Sequence, residues 1–161
     1  MILEKLKGQF SAEIVVTHED KGDLTVIVRK EKLREILEFL KNDPDLSFEM
    51  LMDVCGVDYL PQDEKPRFEA VYHLYSISKN HRLRVRVKVP EEDMTLPSAI
   101  DLWKSADWHE REAFDMFGFQ FIGHPNLKRL LLFEGFVGHP LRKDYPMEKR
   151  QKIPVPEEKP S

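Results

Sequence analysis

The residues from Leu83 to Val89 restrict the fold more than any other part of the chain. Leu83, Val85, Val87 and Val89 alternate with Arg84, Arg86 and Lys88, and Arg82 begins the charged set. An alternation of period two belongs to a β-strand with one face turned to a core and the other carrying charge. A sheet of such strands needs an apolar cover on one side only, which favours helices packed against it. In a basic protein the charged row would suit nucleic acid. Here the formal net charge is −4, from 29 acidic and 25 basic residues. No broad basic surface is therefore expected, and the row should be solvated or meet an acidic neighbour.

The rest of the first hundred residues agrees with such a sheet. Phe68 to Ile77 is a second clear strand, joined to the first through a turn at Ser78 to His81. Glu13 to His18 and Leu24 to Arg29 are β-rich runs flanking Gly22, and they read as a hairpin. Phe48 to Tyr59 is mostly apolar and contains a further strand. Glu31 to Lys41 places Leu33, Ile36, Leu37 and Leu40 on one helical face, which is core packing with no chemistry assigned. Ser98 with Asp101 has the spacing of a capping box, so a short helix is expected there, running to about Trp103 or Ser105. Leu60 to Lys65 and Pro90 to Leu96 are loops. The expected fold class is α+β: a mostly antiparallel mixed sheet with packed helices and an extended C-terminal arm. Residues 1–133 form the α+β domain. Residues 134–161 form the arm, punctuated by Pro140, Pro146, Pro154, Pro156 and Pro160. Such a segment lacks the apolar surface to fold on itself and should order against a partner.

The composition removes several classes. A single cysteine, Cys55, excludes a disulfide within the chain and any four-cysteine zinc or iron–sulfur site built from it alone. Cys55 reads as a small buried hydrophobe, since its neighbours in sequence supply no ligand set. No signal peptide is expected at Met1 to Phe10, and no stretch approaches the roughly 20 apolar residues of a membrane span. The charge-rich, amide-poor composition leans toward a heat-adapted source.

Trp108 to Pro146 sets opposite charges among large aromatics. Asp107 is placed to cap a helix, Glu110 follows three residues later, and Gly118 can close it in the left-handed conformation. Glu110 shares a face with Ala113, Phe114 and Phe117. Trp108, Arg111, Glu112 and Asp115 form the next face, with Arg111 and Asp115 an i,i+4 pair. A carboxylate beside an apolar stripe must find a partner or lose its charge. That partner lies either within the chain or on another subunit. His109-Glu110-Arg111-Glu112-Ala113 has alanine where a zinc-protease helix needs its second histidine. Gly118 to Gly123 lacks the Lys and Ser/Thr of a phosphate loop, and no dinucleotide fingerprint is present. Glu110 and Glu112 stand about 200° apart on a helix, too far for a shared acid–base site. His124 and His139, each in a Gly-His-Pro turn, read as hydrogen-bonded structural residues rather than metal ligands.

Glu110-Arg111-Glu112, Asp115-Met116-Phe117-Gly118, Gly123-His124-Pro125, Lys128-Arg129 and Gly138-His139-Pro140-Leu141-Arg142-Lys143-Asp144-Tyr145-Pro146 resemble the signature of the 30 kDa subunit family of respiratory complex I. In bacteria this family supplies the C-type subunit of NADH-quinone oxidoreductase. Weaker similarity runs upstream through Asp53 to Tyr59, Tyr72-His73-Leu74 and Pro97-Ser98. The resemblance implies an accessory, non-redox subunit in the hydrophilic arm of a proton-pumping complex. There it would brace the quinone-site subunit, the D-type or 49 kDa-type chain, and touch neighbouring arm subunits. Flavin, iron–sulfur clusters and quinone would lie in those partners, with no cofactor, metal or catalytic residue in this chain. Membrane association would be indirect, at the cytoplasmic side of the bacterial inner membrane. Close relatives also serve membrane-bound nickel–iron hydrogenases and other quinone reductases, which is the alternative assembly. The rival of another class is a free-standing enzyme using His109, Glu110 and Glu112. The expected interface residues are Glu110, Arg111, Glu112, Asp115, His124, Lys128, His139, Arg142, Lys143, Asp144 and Tyr145. Of these, Arg111, Arg142 and Lys143 are candidates for ion pairs across it.

Overall fold

The computed structural model describes residues 1–62 and 65–154. The hairpin forms from β1 (Ile14–Asp20) and β2 (Asp23–Val28), turning at Lys21 and Gly22, both with positive φ. The charged-and-apolar alternation becomes β5 (His81–Val89), paired antiparallel to β4 (Phe68–Ser76), which pairs antiparallel to β3 (Met50–Asp58). The sheet order is β1-β2-β5-β4-β3, and β2 with β5 is its one parallel pair.

Helices cover one face. In α2 (Leu33–Asn42) the four residues of the expected stripe are fully buried. They share a core with Val26, Val28, Leu83, Val85 and Val87 from the sheet. Local spacing alone assigns no element to the first ten residues, yet they form α1 (Ile2–Phe10). Leu6 and Phe10, one turn apart, are its buried residues, and Phe10 meets Phe39 edge-on at 5.5 Å.

The opposite face carries the basic row, and the acid that answers it lies on the adjacent strand. Glu69 is fully buried, bonded to the Arg86 guanidinium, and lies 3.2 Å from Lys88. Tyr59 Oη donates to the same carboxylate at 3.1 Å.

Two expectations around the signature helix need correction. Residues 98–105 are turn and irregular loop, not a helix. Tertiary partners take both groups of the expected capping box: Ser98 Oγ donates to Glu110 at 2.6 Å, and Asp101 takes both arms of Arg34 at 2.6 and 2.7 Å. The helix itself, α3 (Ala106–Phe117), starts before Asp107. Its N-cap position is Ser105, with no side-chain cap bond, and Asp107 sits in the first turn. Its C-terminus matches expectation: Gly118, at φ +90°, donates its N–H to Phe114 O. The loop before it ends in β6 (Thr95–Pro97), which pairs parallel with β7 (Gln120–Ile122). α3 approaches β3 closely because Gly56 has no side chain. A Cβ there would stand 2.5 Å from the Phe117 ring.

Candidate functional site

The signature helix holds two fully buried carboxylates, Glu110 and Asp115, in opposite electrostatic settings. Glu110 accepts from Ser98 Oγ and the Ala99 N–H, each at 2.6 Å, and meets no cation among the described residues. Burial pushes its carboxyl up to about 7, although those two bonds pull the other way. The Tyr72 hydroxyl, also buried, has no hydrogen-bond partner among the described residues, and burial followed by the Glu110 charge drives its ionisation well above the usual range.

Asp115 is the reverse case. The expected i,i+4 pair with Arg111 does not form. Asp115 Oδ1 takes Arg129 Nη1 at 2.7 Å, and Oδ2 takes the N–H groups of Leu130, Leu131 and Leu132 at 3.1, 2.8 and 2.9 Å. Burial alone would raise this carboxyl, but the Arg129 bond and the three amides outweigh it and hold it below its ordinary value. Arg111 instead donates to the carbonyls of Lys128 and Arg129, at 3.1 and 3.2 Å, and lies over the Trp108 ring. The helix thus organises the irregular 128–132 segment, with one arginine clamping carbonyls and one aspartate collecting amides.

The two Gly-His-Pro turns attach to the same helix. His124 Nδ1 accepts the Asn126 N–H at 3.0 Å, so its proton sits on Nε2 and points to Asp107 O at 3.2 Å. His139 Nδ1 donates to Asp115 O at 3.0 Å, and burial keeps the ring neutral by lowering its pKa. Both histidines are hydrogen-bonded to backbone groups of this chain.

The chain after Gly138 has no apolar rhythm, yet polar bonds fasten it. Leu141 N–H reaches Met116 O at 3.1 Å, and Arg142 Nε reaches Phe117 O at 2.7 Å. Lys143 N–H donates to Asp58 Oδ2 at 2.8 Å. Arg67 bridges Asp58 (2.8 Å) and Asp144 (3.0 Å). Burial would raise the Asp58 carboxyl, but Arg67 and the Leu60 and Lys143 amides bring it to about 2. Tyr145 stacks on Phe136, and its hydroxyl accepts from Gln151 at 2.9 Å. Residues 155–161 of the arm lie outside the described residues.

The helix and turns therefore bring Asp115, His139 and Arg111 together. Lys143 and Asp144 gather separately at Asp58, and Glu110 stands apart with Ser98. The Glu112 and Lys128 side chains are exposed. Arg129, Arg67 and Asp58 were not among the expected site residues, though each holds a member of that set. Their signal was the buried carboxylate's need for a partner, which does not say where in the sequence the partner lies. Arg111 and Arg142 use their guanidinium groups on carbonyls of this chain.

The outer surface of this region sets large apolar side chains among exposed charges. Among the described residues thirteen large hydrophobics are exposed, and seven of them fall after residue 107: Trp108, Ile122, Leu131, Val137, Leu141, Met147 and Ile153. A cavity of about 520 Å³ opens between Phe114, Leu132, Arg129 and Glu134. Such a surface, over a frame whose charges are already bonded, is suited to contact. No helix among the described residues is long and apolar enough to cross a membrane.

Residues 26–151 match the family described as "Respiratory-chain NADH dehydrogenase, 30 Kd subunit". A protein of Citrifermentans bemidjiense, named as the C-type subunit of NADH-quinone oxidoreductase, is 50% identical over 144 residues, covering 89% of this chain and 87% of its own. Among solved structures, a trypsin-resistant fragment of Nqo5 is 36% identical with a TM-score of 0.69, covering 78% of this chain and 96% of the fragment. A chain of the membrane-bound sulfane sulfur reductase, an archaeal respiratory membrane complex, shares the fold at 22% identity and a TM-score of 0.75, covering 91% and 85%.

Proposed function

The chain belongs to the family of the 30 kDa subunit of the respiratory-chain NADH dehydrogenase, and from that premise we propose that it is a non-redox structural subunit of a proton-translocating NADH-quinone oxidoreductase. It braces the 49 kDa-type, quinone-site subunit in the hydrophilic arm, and its attachment to the membrane is through the complex, on the cytoplasmic side. Flavin, iron–sulfur clusters and quinone belong to the partner subunits.

The observation that carries this reading is the division of labour in the signature region. Its buried ions are bonded inside the chain, while Trp108, Ile122, Leu131, Val137 and Leu141 face outward. A catalytic acid needs an open approach, which fully buried Glu110 and Asp115 do not offer. An obligate interface commonly buries ~2,000 Å² or more with an apolar centre and a charged rim. The outward apolar residues supply that centre, and Glu112, Lys128, Lys143 and Asp144 supply rim charge. The fold alone is shared with a chain of another respiratory complex. The 50% identity to a chain of an NADH-quinone oxidoreductase favours the NADH-linked one.

A pull-down of the tagged chain from membranes in mild detergent tests this, with partners identified by mass. The 49 kDa-type subunit and its neighbours should co-purify in fixed ratio, and the chain stripped from them should be colourless. A chain that purifies alone at native expression, or that carries its own visible chromophore, refutes the reading.

A further inference from the structure

We propose that Asp53, Cys55 and His73, with His109 completing the set, form a binding site for one divalent cation of the zinc class. The site lies on the open face of the sheet, and its chemistry is independent of which complex holds the chain.

The β3–β4 register creates the cluster. Leu51 pairs with Leu74 and Val54 with Tyr72, all in the core, whereas Asp53 pairs with His73 and Cys55 with Val71 on the other face. The ladder slips between Leu51 and Asp53, where Met52 is the extra residue of a bulge. Without the slip Asp53 would oppose Tyr72 and point into the core. The bulge therefore turns Asp53 and Cys55, two apart on one strand, toward His73 across from them. Ligand atoms of all three lie within 4.8 Å of one another. Around a tetrahedral zinc, with bonds of about 2.0–2.3 Å, neighbouring ligand atoms stand about 3.3–3.8 Å apart. Small rotamer adjustments close that gap. His109, on α3 beside the edge strand, holds Nδ1 3.4 Å from Asp53 Oδ1; it stands outside the three-residue cluster, and a side-chain rotation is what would bring it to a fourth position.

The donor set is mixed sulfur, nitrogen and oxygen, which suits zinc-class ions over magnesium or calcium. Burial and then the Arg84 charge lower the His73 pKa, so the ring is in its neutral, ligating form. Burial and then the Asp53 charge push the Cys55 thiol up to about 11, so without a cation it is a protonated, inert thiol. A bound dication displaces that proton, as metals do at coordinated thiols. Thiolate and carboxylate then balance its two charges. The nearest competing cation is Arg84, which lies 3.8 Å from Asp23 and donates to Thr25 Oγ1 at 3.3 Å. A cavity of about 360 Å³ bounded by Asp53, His73, Arg84 and Asp23 gives an ion its route from solvent.

Because Cys55 is the only cysteine, thiol readouts on the purified full chain report this site alone. Cobalt(II), titrated under reducing conditions, should give a thiolate-to-cobalt charge-transfer band that saturates at one equivalent. Zinc(II) should bleach that band and protect Cys55 from iodoacetamide. Cys55→Ser should abolish the band. His73→Gln should weaken zinc binding on the order of 100-fold, and His109→Gln by roughly 10-fold. Circular dichroism and metal-free melting establish that the variants fold, and the alkylation assay needs no variant. Absence of the band, zinc binding without protection of Cys55, or equal zinc affinity in the folded Cys55→Ser/His73→Gln double variant would overturn the site.

Discussion

Glu110 and Asp115 sit five residues apart on α3, both inaccessible, and their acidities move in opposite directions. The cause is the company each keeps: two neutral donors for Glu110, an arginine and three amides for Asp115. Each shift fixes a pH dependence. The Glu110 carboxyl rises from an ordinary 4.5 to about 7 on folding. Its stabilising contribution is complete below the lower value and is lost as pH rises through the higher one. Across that window the loss is roughly 3 kcal/mol. Glu110→Gln, neutral at every pH, should gain about that much relative to the parent between about pH 5 and pH 8, measured by urea unfolding. Parallel pH profiles would refute the assignment. Asp115, held low, contributes fully above its ordinary 3.8 and loses the contribution as pH falls through its folded value. Asp115→Asn leaves Arg129 without its counter-ion and should cost about 3–5 kcal/mol near neutrality. Lys128→Ala, nearby and exposed, should stay within about 0.5 kcal/mol. Comparable losses in the two variants would contradict the buried pair. Sequence shows that a charge beside Ala113 and Phe117 needs a partner. It does not show that the partner is fourteen residues later for Asp115, or twelve earlier for Glu110, because no local periodicity links them.

At the scale of elements, legibility follows the range of the forces. β5, β4 and α2 repeat their apolar residues at strand or helix spacing, and each appears where that spacing places it. The 98–105 segment reads as a helix start because its capping groups are right. It fails because Arg34 and Glu110, distant in sequence, claim them. The arm is the extreme case. From Gly138 to Gln151 its bonds to the domain include backbone or polar contacts to Asp58, Arg67, Asp115, Met116 and Phe117, which leave no pattern in its own residues. Arg67 joins strand to arm, and its carboxylate partners hold it more basic than usual. In Arg67→Ala, amides of residues 139–151 should exchange faster with deuterium while those of β4 and β5 keep their protection. Uniform acceleration across the sheet would mean that Arg67 supports the whole domain rather than the arm's attachment. Gly118 is the second joint. At φ +90°, and with an added Cβ only 2.7 and 2.8 Å from Arg142 Nη2 and His139 Nε2, Gly118→Ala should cost about 1–3 kcal/mol through backbone strain alone.

For the whole molecule, the sheet's apolar face is sealed by its own helices, so that face is not available for docking. The α3–arm region is outward and carries large apolar side chains: Trp108 is 58% exposed and Leu131 62%. Trp108 lies against Arg111, but its loss removes little buried area, so Trp108→Glu should leave the melting of the isolated chain nearly unchanged. If the docking surface is the proposed one, the same residue would be an aromatic anchor of the kind that dominates interface energies, with losses of about 2 kcal/mol or more on truncation. That is about a thirtyfold weakening of association. Trp108→Glu and Leu131→Glu, each made singly, should therefore fold like the parent yet fail to recover the 49 kDa-type partner from membranes. Val15→Glu, on the exposed edge strand β1 and 57% accessible, should recover it normally. Should Val15→Glu prove to be the change that blocks assembly while Trp108→Glu assembles, the docking surface is the sheet edge, and the signature helix is only a brace within its own subunit.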